Sequence, residues 1–355
     1  MSNKKPTANS GKKIYTLDIK RTKKNSKGVK KPEITVNGKG TDLNDRKALE
    51  NRAKRKTIAQ KVILMMIDDA KKKDKPKWVR GLWNAYRCQT EVVTTEGKLY
   101  GNYCKYRVCP ICSSIRKAEK INSYIETVKS WPDAYFVTLT VKAVPAYKLS
   151  AVIDNIVENL EKIIDKYRKQ EERKTGKKLI GIKSLECNFN PERGTYNPHF
   201  HIIVQTEEMA EILLKEWMQR SRPGWTNRKG QFIRKVNNHG RDMIETIKYG
   251  TKVFTEPDPR KKKKQKGNRK VYVSALNNIL MALDGHHVFD TFGFKLPKRE
   301  KSIRNSAVVS DYEQWDFNPS LCDWIEQSTG ERLTGYVPTD ELIDILKYRI
   351  DTDTE

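Results

Sequence analysis

An α+β fold, with helices packed on an antiparallel sheet, is predicted by three features of the chain. Tyr135–Val141 (YFVTLTV) is β-branched and aromatic, which is the composition of a strand. Leu179–Phe189 and Pro198–Val204 are two further strand-like stretches. The turn chemistry of Asn190-Pro-Glu-Arg-Gly194 separates them, so they should pair as a hairpin. Helical periodicity fills the intervals: Val152, Ile153, Ile156, Val157, Leu160, Ile163, Ile164 and Tyr167, then Ala210, Leu213, Leu214 and Trp217 within 207–220, then a helix over 241–254. The order β-α-β-β-α-α predicts helices on one antiparallel sheet.

Around that core the composition changes in blocks. Residues 1–43 are Lys-rich and polar, with too little apolar surface to order themselves, and are expected to be a disordered basic arm. Residues 44–79 read as a basic helix with Ile58, Val62, Leu64, Met65 and Ile67 on an apolar side. Residues 80–118 form a Cys-rich segment, 119–255 the core, and 256–309 a basic loop (RKKKKQKGNRK at 260–270) that completes the core. Residues 310–355 read as an acidic tail, twelve acids against Arg332, Lys347 and Arg349. No internal repeat is visible.

The 355 residues carry 71 Lys and Arg against 44 Asp and Glu, a formal net charge of +27. Such an excess points to a polyanionic partner, with nucleic acid as the first reading and an anionic membrane surface as the rival. The rival is weak: the longest apolar run, Val62 to Ile67, is far below the roughly 20 residues of a spanning helix. Residues 1–34 lack the apolar stretch of a signal peptide, so a cytoplasmic location is expected. The basic stretches 1–56 and 260–270 should contact phosphates without reading sequence.

Three of the six cysteines, Cys104, Cys109 and Cys112, lie within nine residues. In a reducing compartment such clustering suggests a metal site, with Cys88 as fourth ligand of a structural Zn²⁺. Buried free thiols and a redox Cys-x-x-Cys are the other readings.

Successive strand residues face opposite sides, so His199 and His201 share a face and Phe200 points to the core. Two imidazoles at that spacing can hold one divalent ion. Glu186 lies opposite His199 if the hairpin turns between residues 192 and 193; a slip of one residue removes it. One carboxylate with two imidazoles suits Mg²⁺ or Mn²⁺ more loosely than it suits zinc; Mg²⁺ or Mn²⁺ is the catalytic ion expected. The plainer alternative is a pair of surface histidines on an edge strand.

About fifty residues further on, Glu245-Thr-Ile-Lys-Tyr249-Gly-Thr-Lys252 puts Glu245 and Tyr249 one turn apart on a helix face, with Lys252 close by. The set offers a nucleophile, a carboxylate able to activate water, and a cation for a phosphate. By itself the spacing is common, and most such tyrosines pack in a core.

Taken in order, these motifs resemble the HUH endonuclease superfamily, and within it the single-tyrosine Rep proteins of small rolling-circle plasmids of Gram-positive type. Phe136-Val-Thr-Leu-Thr140 resembles the first strand motif. Asn197-Pro-His199-Phe-His201-Ile-Ile-Val204 resembles the metal motif, and Glu245 through Lys252 the tyrosine motif. Cys104-x4-Cys109-Pro-x-Cys112 with Arg116 resembles the region before the first of these. The resemblance covers roughly residues 80–255. It implies an origin-specific nick in plasmid DNA by Tyr249, a 5′-phosphotyrosine link, a free 3′-OH, and release by water that Glu245 activates. The partner implied is plasmid origin DNA, as a double-stranded recognition site and a single-stranded nick site. No Gly-x4-Gly-Lys-Ser/Thr loop is present, which leaves unwinding to a host helicase. Self-association is left open. Relaxases and transposases share the chemistry, but relaxases carry three histidines where this chain has two. A non-catalytic, zinc-containing DNA-binding regulator is the alternative from another class.

Overall fold

The computed structural model describes residues 17–19, 33–246, 271–296, 306–347 and 349–350. In chain order the strands are β1 (Leu17–Ile19), β2 (Ile34–Asn37), β3 (Thr41–Asp42), β4 (Glu91–Thr95), β5 (Lys98–Gly101), β6 (Tyr135–Thr140), β7 (Gly181–Asn190), β8 (Thr195–Val204), β9 (Phe232–Lys235), β10 (Val271–Tyr272), β11 (Phe289–Phe292), β12 (Ser306–Val309), β13 (Glu313–Asn318), β14 (Asp323–Glu326) and β15 (Arg349–Ile350). The helices are α1 (Arg46–Lys72), α2 (Pro76–Tyr86), α3 (Pro110–Lys129), α4 (Leu149–Glu172), α5 (Glu207–Arg220), α6 (His239–Thr246), α7 (Val273–Ala282) and α8 (Asp340–Lys347). The protein is mixed α/β, and its sheets are antiparallel apart from the two-residue pairing of β10 with β15. Among the described residues no helix is long and apolar enough to cross a membrane.

The chain divides into two compact units, one from residues 1–54, 87–104 and 300–337, the other from 55–86, 105–299 and 338–355. The first holds a five-stranded sheet in the order β14-β13-β4-β5-β3 and a three-stranded sheet β1-β2-β12. Glu96 and Gly97, both at positive φ, make the two-residue connection between β4 and β5, the geometry that matches the twist of a tight hairpin. Its core is Val92, Leu99, Trp315, Phe317, Trp324 and Leu333 under Leu49 and Ala53 of α1. The buried indoles are satisfied: Trp315 Nε1 donates to Thr94 Oγ1 at 2.9 Å and Trp324 Nε1 to the Gln89 carbonyl at 2.8 Å.

The structure departs from the sequence expectation in four places. The stretch after 310 was expected as an acidic tail, yet β13 and β14 are strands with Trp315 and Phe317 alternating inward. Within 1–43, expected as a disordered arm, residues 34–37 and 41–42 are strands β2 and β3. Residues 80–118 are likewise not one module. They supply the end of α2, the hairpin β4–β5 and the start of α3. The basic helix expected over 44–79 is two helices, broken at Asp74, which takes a positive φ, and restarted at Pro76, a favoured first-turn residue.

The second unit contains the core expected from residues 119–255. Its sheet runs β11-β7-β8-β6-β9, and β11, from the segment assigned to completing the core, forms one edge. Period-2 alternation gives the sheet two faces. Val137, Leu139, Leu185, Phe200, Ile202 and Val204 pack against α4, α5 and α7. Phe136, Ile182 and Ile203 pack on the opposite face against Val128 of α3 and Met243 of α6. Helices therefore cover both faces of the sheet. Asp69 of α1 takes hydrogen bonds from Ser274 Oγ (2.5 Å) and Asn277 Nδ2 (2.7 Å), which fasten α7 to α1. Burial opposes charge on Asp69, but these donors and Lys73 outweigh it and hold the carboxyl below its usual range.

Candidate functional site

The hairpin β7–β8 sets the register of the site. Glu186 lies opposite His199 and Ser184 opposite His201, while β6 on the other side of β8 pairs Thr138 with His201 and Thr140 with His199. Glu186, His199 and His201 thus stand on one face of adjacent strands, all largely buried, with their ligand atoms within 4.8 Å of one another. Glu186 Oε2 is 3.9 Å from His199 Nε2 and 3.7 Å from His201 Nε2.

The second ring nitrogens are engaged elsewhere. His199 Nδ1 lies 2.9 Å from the Asn197 carbonyl. A carbonyl only accepts, so Nδ1 carries a proton, and Nε2 is the ring nitrogen turned toward Glu186. His201 Nδ1 lies 3.1 Å from Thr138 Oγ1, and its ring is flanked by Phe136 and His199. Two imidazoles oriented through Nδ1, with both Nε2 atoms converging on a carboxylate oxygen, form a donor set that fits a divalent cation.

A supporting layer holds these strands in place. Asn197 Nδ2 donates to the Val141 carbonyl (2.8 Å) and to Thr140 Oγ1 (3.0 Å). Gln231 accepts from the Thr140 N–H at 2.8 Å and donates to its carbonyl at 3.1 Å, extending the ladder with a side chain. From α3, Lys117 faces the site. Burial lowers its proton affinity, and the Glu186 carboxylate offsets part of that shift. Sequence reasoning missed Lys117 and Gln231, which carry no local signal. Asn197 and Thr138 stand inside the quoted motifs without having been assigned roles.

Helix α6 rests on the same face. It packs on α3 and β8, buries Met243, and is tied to β9 by the ion pair of Arg234 with Asp242. The Arg234 guanidinium also lies 4.9 Å from the centre of the Phe136 ring. Half-buried Glu245 sits in the last turn of α6. Tyr249 and Lys252, and the basic loop 260–270, lie outside the described residues.

All six cysteines are free thiols. Of the four cysteines expected to hold metal, Cys88 and Cys104 belong to the first unit, and Cys109 and Cys112 to the second, at the start of α3. Cys109 is the N-cap of α3, ahead of Pro110. The Cys104 N–H points to Cys88 Sγ at 3.5 Å. Burial pushes the Cys187 thiol up to about 12.

Residues 97–220 match the family model of the replication protein family. Relatives named "Protein rep" follow. One from Staphylococcus aureus is 28% identical over 171 residues, 44% of this chain and 72% of that protein. One from Streptococcus pneumoniae is 32% identical over 118 residues, 31% of this chain and 35% of that protein. One from a Bacillus species is 31% identical over 115 residues, 30% of this chain and 35% of that protein. The chain therefore spans about a third of the streptococcal and Bacillus relatives. These matches support a plasmid Rep initiator family. No solved structure matches the chain significantly.

Proposed function

We propose that the protein is a plasmid rolling-circle replication initiator with an HUH-type core, which acts in the cytoplasm and nicks one strand of its origin through Tyr249. The observation that carries this reading is the convergence of Glu186, His199 and His201 on the face of the sheet where α6 is docked. The replication protein match over residues 97–220 supports it and spans all three residues.

In this reading Glu186 and the two Nε2 atoms hold Mg²⁺ or Mn²⁺, which supplies charge neutralisation at the scissile phosphate. The Tyr249 oxygen attacks phosphorus, the bond from phosphorus to the 3′ oxygen breaks, and the departing oxygen takes a proton. The products are a 5′-phosphotyrosine link and a free 3′-OH. One P–O bond forms as another breaks, so no ATP is consumed. Lys252 stabilises the developing charge near the phosphate. Glu245 later takes a proton from water that releases the DNA. Cys88, Cys104, Cys109 and Cys112 hold a structural Zn²⁺, and strand separation falls to a host helicase.

The test is incubation of the purified protein with supercoiled plasmid carrying its own origin, with Mn²⁺ or with EDTA. Relaxed circles with protein on the 5′ end are expected with metal, none with EDTA, and none from Tyr249→Phe. Glu245→Ala should nick and accumulate adducts. An unchanged nick from Tyr249→Phe rejects the mechanism and leaves a DNA-binding regulator.

A further inference from the structure

Beside the metal-binding face, the second unit contains a cavity of about 780 Å³ that the nicking chemistry does not use. Its walls are the start of α2, residues 105–108, the first turns of α3, the end of α7 and the start of β11. Seven of the lining residues are Lys or Arg, against the acids Asp74 and Asp284. Lys117 and Lys120 feel the carboxylates of Glu186 and Asp290, yet the seven cations still outnumber the two acids that line the cavity. Arg116 is aimed by a bond to the Lys105 carbonyl at 2.6 Å, which fixes its direction and leaves its charge.

Aromatic rings are interleaved with these cations. Trp78 is held by its indole N–H on Asn277 Oδ1 at 3.0 Å. Lys120 Nζ lies 4.6 Å from the Phe289 ring centre. Tyr106 is 37% exposed, yet its ring is pressed on α2 at Gly81, where a Cβ would come within 2.3 Å of Tyr106 Cε1. Gly81 therefore lets the tyrosine sit close against a helix, and its part-exposed ring lines the cavity. Cations beside a part-exposed ring on a rigid support form a platform for a phosphate and an unstacked base. Duplex DNA keeps its bases paired and stacked and cannot offer one to a cavity, whereas a single strand can.

The cavity is linked to the site through one residue. Lys117 lines it, and Lys117 is also the α3 side chain whose charge interacts with Glu186. A strand lying across the metal-binding face would pass Lys117 on its way in.

We propose that this cavity is a subsite for one or two unpaired nucleotides of the DNA strand flanking the scissile phosphate. Arg116, Lys117 and Lys120 take the phosphates, and a base stacks on Tyr106. The assignment rests on the nicking function proposed above and adds to it where the strand runs.

The test uses the full chain in EDTA, so that no cleavage occurs, and a thymidine tetranucleotide carrying one 2-aminopurine, too short to bridge distant basic segments. Binding should quench the probe. Tyr106→Ala should weaken binding by about fivefold or more and restore fluorescence, as expected for loss of one base stack. Lys120→Gln should lower the slope of log affinity against log salt by about 0.7, one phosphate contact to a single strand. Gly81→Ala, which displaces the Tyr106 ring without removing it, should reproduce the fluorescence change. Unfolding midpoints of each variant establish that it is folded. Wild-type-like binding and quenching in folded Tyr106→Ala and Lys120→Gln overturns the proposal. So does tighter binding of a deoxynucleoside triphosphate than of the tetranucleotide, which would make the cavity a free-nucleotide site. If these variants lose binding while wild type fails to nick its origin, the subsite stands and the nicking reading falls. If nicking is normal and the variants bind normally, the reverse holds.

Discussion

On one face of β8, Phe200, Ile202 and Val204 are sealed beneath apolar helices; on the other, His199 and His201 stand beside a carboxylate, with Ile203 closing the row toward α3 and α6. The two rows belong to the same ten residues and differ only in parity. The apolar row gains stability from burial, roughly in proportion to area removed from water. The polar row buries imidazoles and a carboxylate, which costs free energy unless each polar atom finds a partner. The Asn197 carbonyl, the Thr138 hydroxyl and the ladder closed by Gln231 limit that cost. One strand can thus separate folding from chemistry, provided its register does not slip.

That separation can be broken by substitution. The largest stability effect should come from Phe200→Ala, which removes a ring 2% exposed and edge-on to Trp217. A loss of about 3–5 kcal/mol is expected in denaturant unfolding. Mn²⁺ affinity in the protein that remains folded should change little; a parallel collapse of affinity would show that the two faces are not independent. Next comes Asn197→Ala. It cuts the tie to Thr140 and Val141 and loosens the segment whose carbonyl orients His199, so calorimetry should find Mn²⁺ affinity about 10–100-fold weaker. The smallest effect is expected from Thr138→Val, which removes one hydroxyl partner of His201 at about 1 kcal/mol. That should appear as a several-fold loss of Mn²⁺ affinity with near-normal unfolding. An effect larger than that of Asn197→Ala would reverse the ranking of the two supports.

The same contrast accounts for what was legible in the sequence. Parity along Pro198–Val204 is local, and the turn at Asn190–Gly194 is strong enough to fix the hairpin, so the positions of His199, His201 and Glu186 followed from spacing. Lys117 and Gln231 reach the site from α3 and from just before β9, through tertiary packing that no short window contains. The strands after residue 310 were hidden in another way. Their many acids outweighed the Trp315–Phe317 alternation, and β13 pairs with β4, more than two hundred residues earlier, so no local hairpin signal joins them. The sequence reads α3 as a helix leading out of the cysteine segment, but not what that helix packs against. Its burial against Phe136 and Ile203 emerges only once the sheet exists. For Tyr249 and Lys252 the sequence expectation stands as a proposal, since both lie outside the described residues.

The central claim is that three side chains from two paired strands form one cation site. Calorimetric titration of Mn²⁺ into the wild-type protein and into the His199→Ala, His201→Ala double variant tests it most directly. One ion per chain should bind at these ligands in the wild type, and that binding should vanish in the folded double variant. Equal stoichiometry and affinity in both proteins would contradict the claim.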